Sequence, residues 1–169
     1  NENLLSFYNE YPSSFEKGDK YTKWRAFAML PLDKVTRDML YPKLRAYVKG
    51  KSENEAVNII LNFVQTAFEY GYDDEIWGGD RPFFAEETIY YPYSDCEDRS
   101  ILFSRLVRDI VGLDMVLIYY PGHLATAVKF NENVSGDYLV VDGKKYVVCD
   151  PTYVNARVGM TMPKMDNST

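Results

Sequence analysis

Apolar residues return every three or four positions through the first two-thirds of the chain, then give way to short, strand-like runs. The clearest helical pattern is "SENEAVNIILNFVQTAFEYGY". Here Ala56, Ile59, Ile60, Phe63, Val64, Ala67 and Phe68 share one face. Ser52 and Glu55 stand in capping-box spacing at its start and Gly71 closes it, which predicts a core helix. Upstream, "DKVTRDMLYPKLRAYVKG" carries Val35, Met39, Leu40, Leu44 and Val48 at helical spacing. Pro42 predicts a kink or break there and Gly50 a stop. Downstream, "SDCEDRSILFSRLVRDIVG" repeats the cap spacing at Ser94 and Glu97. Its apolar face runs through Ile101, Leu102, Leu106, Ile110 and Val111 to Gly112.

Between the last two helices, "DDEIWGGDRPFFAEETIYYPY" has no period, being broken by Gly78, Gly79, Pro82 and Pro92. A loop of that length inside a compact domain is uncommon and is often functional. After Gly112 the pattern predicts strands over 115–120, 124–130, 138–141 and 145–149, with Asp142-Gly143 as a two-residue hairpin turn. Helices first and a mostly antiparallel sheet afterwards make the fold class α+β, N-terminal helices packed on an antiparallel β-sheet. The expected organisation is one compact domain, with residues 1–51 a helical extension and 52–169 the core.

Composition narrows the functions. In 169 residues, 46% are apolar and 26% charged, which describes a globular chain. Its 19 basic and 25 acidic residues give a formal charge of −6 with no basic stretch, so a nucleic-acid partner is not expected. No apolar run is long enough for a membrane span. The 15 tyrosines either line a cleft or pack at the edge of the core. Asn1 opens the chain without a methionine or an apolar leader, which reads as a processed or trimmed terminus. Localisation, extracytoplasmic or otherwise, stays open, as does oligomeric state.

Cys96, Cys149 and the single His123 are too few for a disulfide framework or a zinc cluster, so no metal and no cofactor is expected. Cys96 falls in the first turn of its helix, where free N–H groups and the helix dipole favour a thiolate. Asp95, Glu97 and Asp98 oppose that charge, so the thiol needs a partner to stay ionised. His123, beside the Pro121-Gly122 turn, supplies a base, and Asp150 at a strand end supplies a group to orient it. In a plain meander His123 and Asp150 would lie roughly 20 Å apart, at opposite ends of the sheet, and Asp142 would be the nearer acid. Should Asp150 be the partner, residues 131–144 must be an excursion, with 145–149 antiparallel to the histidine strand. Strand alternation turns Cys149 away from the site as a small core residue. The Cys96 amide is a natural oxyanion donor, and Trp77 and Tyr91 are candidates for the second.

"YSDCEDRSILFSRLVRDIVGLDMVLIYYPGHLATAVKF" followed by "YVVCDPTY" resembles the core of the transglutaminase-like superfamily, a papain-related branch of cysteine enzymes, in its compact bacterial-type form. The likeness runs from about Ser52 to Tyr153 and leaves out the first fifty residues and the tail "MTMPKMDNST". It implies Cys96 as nucleophile, His123 as base and acid, and Asp150 as orienter, with Asp98 a packing or hydrogen-bonding residue. The implied activity is acyl transfer at an amide of a peptide or protein substrate. Water as acceptor makes a cysteine peptidase or amidase, the preferred expectation, and an amine makes a transglutaminase. A catalytically silent peptide- or glycan-binding module is the rival.

Overall fold

The computed structural model describes residues 20–163. The stretches 1–19 and 164–169, parts of the expected extension and tail, lie outside them. Helices α1 (Lys20–Met29), α2 (Lys34–Val48) and α3 (Glu53–Thr66) come first. A short strand β1 (Glu69–Tyr70), one turn of helix α4 (Asp73–Ile76), helix α5 (Ala85–Tyr90) and strand β2 (Tyr93–Ser94) follow. Then come α6 (Cys96–Leu106) and strands β3 (Asp114–Tyr120), β4 (His123–Lys129), β5 (Tyr138–Val141) and β6 (Lys144–Cys149). The protein is α+β, and its main sheet is wholly antiparallel in the order β3-β4-β6-β5.

That order answers the sheet question. Strand β6 lies directly beside β4, and β5 is displaced to the outer edge, so 131–144 is an excursion and not the middle of a meander. The β5–β6 hairpin turns at Asp142 and Gly143, whose φ values of 50° and 73° are the left-handed pair such a turn requires.

Helix α6 is the centre of the molecule. It packs against α1, α3, α5 and β4, and its residues from Asp98 to Ser104 are all buried. Beyond Leu106 it widens through a π-type turn, Val107–Val111, and stops at Gly112, whose φ is 80°. Trp24, Phe27, Tyr41 and Leu44 from the first two helices share one apolar core with α3, α6 and the sheet.

Three expected details differ. Pro42 does not break α2, which runs through it with Tyr41 and Leu44 buried on its inner side. Packing of that face outweighs the one hydrogen bond a proline removes. Helix α3 has the expected capping box but ends at Thr66, well short of Gly71. The Arg99 guanidinium donates to the Gln65 and Phe68 carbonyls, and the chain leaves as β1, parallel to β2. Its buried stripe also turns towards Val57, Leu61 and Gln65, while Ile59 and Phe63 stay half-buried. Finally, the aperiodic 73–93 stretch contains α4 and α5 and is not one continuous loop.

Candidate active site

Cys96 is the first residue of α6, as its spacing implied, but the cap is one residue later than expected. Asp95 is the N-cap, and Asp95 and Asp98 form the box, each carboxylate accepting the other's backbone N–H. Ser94 and Glu97 have other partners. Ser94 Oγ accepts from Arg99 Nε at 3.0 Å, and Glu97 Oε2 accepts from the Cys96 thiol at 2.9 Å.

Strand β4 brings the base. Its register pairs Tyr120 with His123 around Pro121-Gly122, where Gly122 takes a φ of 76°. The β4–β6 register ends with Thr126 opposite Cys149, so one step on Asp150 shares a face with His123. His123 Nε2 lies 2.8 Å from Asp150 Oδ2, and both residues are buried. The other Asp150 oxygen accepts from the Thr152 and Tyr153 amides, a local turn that fixes the carboxylate and accounts for the "DPTY" run. Asp150 thus occupies the Nε2 end of the ring and leaves Nδ1 as the atom able to exchange a proton with a reacting group.

Cys96 sits against the same strand. Ser100, one helical turn beyond Cys96, donates its hydroxyl to the carbonyl of Leu124, next in chain to His123, at 3.0 Å, and the Leu124 backbone amide favours the ionised sulfur. Burial first, and then the Glu97 carboxylate, push the Cys96 thiol well above the ordinary range. Both influences favour the protonated thiol, whose hydrogen bond goes to Glu97.

The remaining acids crowd the helix start. Asp73, Asp95 and Asp98 bring carboxylate oxygens within 4.8 Å of one another. Burial raises Asp73 to about 6 and Asp95 to about 10, with neighbouring carboxylates adding to each shift. Asp98, buried beside them, is raised too. Their oxygens already accept backbone amides, from Arg81 to Asp73 and from Phe83 to Asp98, at 2.6 and 2.7 Å. Oxygen ligands of this kind suit hard divalent cations, although the sequence had suggested no metal. The two candidate oxyanion residues fall together in an aromatic cluster. Trp77 and Tyr91 rings are 5.1 Å apart, each also meets Phe83, and the Arg81 guanidinium lies over Trp77.

Two residues that frame the site had been overlooked. Gln65, buried on α3, donates its side-chain amide to the carbonyls of Asp150, Tyr153 and Ala156 at 3.0, 2.8 and 3.0 Å. Arg99, buried on α6, grips the Gln65 and Phe68 carbonyls and Ser94 Oγ. The end of α3 thereby ties the cysteine helix to the aspartate turn. A polar residue at 65, four and eight positions after Leu61 and Val57, was the available signal. Cys149 is buried and free, as Cys96 is, and the two form no disulfide. No protein-family model matches the chain, and no curated protein matches it.

Proposed function

We propose that this chain is a transglutaminase-like, papain-related cysteine enzyme that transfers an acyl group from an amide, with water as the preferred acceptor. The supporting observation is the buried His123–Asp150 pair at 2.8 Å, on a strand against which the helix that Cys96 begins is packed and hydrogen-bonded through Ser100.

In the reading we favour, substrate entry draws the thiol from Glu97, and His123 Nδ1 takes its proton. The thiolate attacks the amide carbonyl, and the backbone N–H at the start of α6 meets the developing oxyanion. The imidazolium then protonates the leaving nitrogen as the C–N bond breaks, leaving a thioester on Cys96. Water, deprotonated by His123, attacks the thioester. The acid departs and the thiol is restored. An amine in place of water gives a new amide and the transglutaminase reaction. Asp150 holds the ring and offsets its charge while it carries the extra proton.

The protonated, acid-bound thiol favours a second reading, a silent peptide- or glycan-binding module on the same fold. Iodoacetamide alkylation of Cys96 across pH separates the two, comparing the parent with His123→Ala. The enzyme reading expects His123→Ala to slow alkylation of Cys96 and to abolish a peptide turnover that incorporates ¹⁸O from water. Product carrying monodansylcadaverine instead identifies an amine acceptor. An ordinary, slow thiol profile in both proteins, with no turnover, favours the binding module.

A further inference from the structure

We propose that the cavity between α1, the second half of α6 and strand β3 binds a small apolar monocarboxylate, independently of the Cys96 chemistry. The cavity has a volume of about 630 Å³, within the range of small-molecule sites. Trp24, Ala28, Met115, Leu117, Tyr119 and Leu124 supply its apolar wall. Two rings, Trp24 and Tyr119, lie 5.9 Å apart along it.

Apart from Asp142, the charged groups in that wall suit an anion. Ser104 lines the cavity, is 1% exposed, and its hydroxyl has no hydrogen-bond partner. Arg108 also lines it and has a buried Nε without a partner, while its Nη2 is anchored on the Met115 carbonyl at 2.9 Å. Arg25 is an exposed rim residue, and neither it nor Arg108 is ion-paired among the described residues. The one lining acid, Asp142, is exposed at the tip of the β5–β6 hairpin. Burial and the nearby Arg105 and Arg25 charges press against protonation of Arg108, although Asp114 offsets part of that. A carboxylate placed between Arg108 and Ser104 satisfies both orphaned groups and the charge, while a short hydrocarbon or ring fills the wall.

Octanoate is the probe, read through Trp24 fluorescence in a Trp77→Phe background, with octan-1-ol and octylamine as charge controls. We expect saturable quenching by octanoate, with octan-1-ol and octylamine at least about tenfold weaker. Arg108→Met should abolish the response. Arg25→Glu, an exposed change that leaves the fold alone, should weaken it several-fold and keeps the test valid if Arg108→Met does not fold. A linear response, equal responses to all three probes, or an affinity untouched by Arg25→Glu overturns the site. Loss of octanoate binding in Cys96→Ala would place the ligand in the catalytic cleft and overturns it as well.

Discussion

Glu97 sets the resting state of the Cys96 thiol. It follows Cys96 directly, accepts the thiol proton at 2.9 Å, and after burial is the largest influence holding that proton in place. A glutamine there keeps the hydrogen-bond acceptor and removes the charge. Glu97→Gln is therefore expected to lower the thiol pKa by about one unit and speed iodoacetamide alkylation at pH 7.5 roughly tenfold. Peptide mass mapping of the modified cysteine against time measures it, since Cys149 is fully buried and stays unlabelled. A rate that stays the same or falls would show that burial alone controls the thiol. Asp150 makes a contrasting case: its two oxygens are committed to His123 and to two backbone amides, so it acts by position.

At the scale of elements, the joint between α3, α6 and the turn after β6 decides whether the triad residues meet. Gln65 spans it with three carbonyls on one amide group, and Arg99 spans it from the other side. Gln65→Leu leaves those buried carbonyls without their donor and is expected to cost roughly 2–4 kcal/mol in urea unfolding. Gln65→Glu should cost at least as much, because a carboxylate cannot donate to a carbonyl unless protonated. Loss of less than about 0.5 kcal/mol in both would deny the joint its role. This joint also marks the limit of what the sequence conveyed. The excursion beside β4 follows only once His123 is paired with Asp150, whereas the hairpin at Asp142-Gly143, the Ser52–Glu55 cap and the order of the longer helices and main strands follow from local pattern. The cap of α6 does not. Ser94–Glu97 and Asp95–Asp98 have the same spacing, and tertiary partners choose between them: Arg99 takes Ser94, Cys96 takes Glu97, and Phe83 docks on Asp98. Gln65 is a related case: its spacing from Val57 and Leu61 marks it as buried, but the carbonyls it serves lie across the core and leave no local pattern.

Across the whole molecule, the acids around α6 make stability depend on pH in an unusual direction. Asp73 at about 6 and Asp95 at about 10, with Asp98 also raised, hold protons in the fold that an unfolded chain releases near pH 4. Each raised group gives its full contribution below its unfolded pKa and loses it as pH climbs through the folded value. Stability should therefore fall from about pH 4 through pH 6 as Asp73 ionises, and continue falling towards pH 10 with Asp95. The lowered carboxyls of Asp33, Glu53 and Glu55 work the other way, gaining above pH 4 and failing only in stronger acid, which places the maximum on the acidic side of neutrality. The net charge of −6 adds self-repulsion at pH 7 in the same sense. Asp95→Asn keeps an equally good N-cap and removes one titrating member of the cluster. Its urea midpoint should match the parent near pH 4 and exceed it clearly at pH 8. A parent midpoint that rises from pH 4 to pH 8, or a variant with no advantage at pH 8, would mean that the cluster stays ionised and is balanced by something other than bound protons. The functional consequence follows from the same charges: a cluster that keeps its protons weakens the negative field at Cys96, and its ionisation above neutral pH should hold the thiol back just where free thiols ordinarily become reactive.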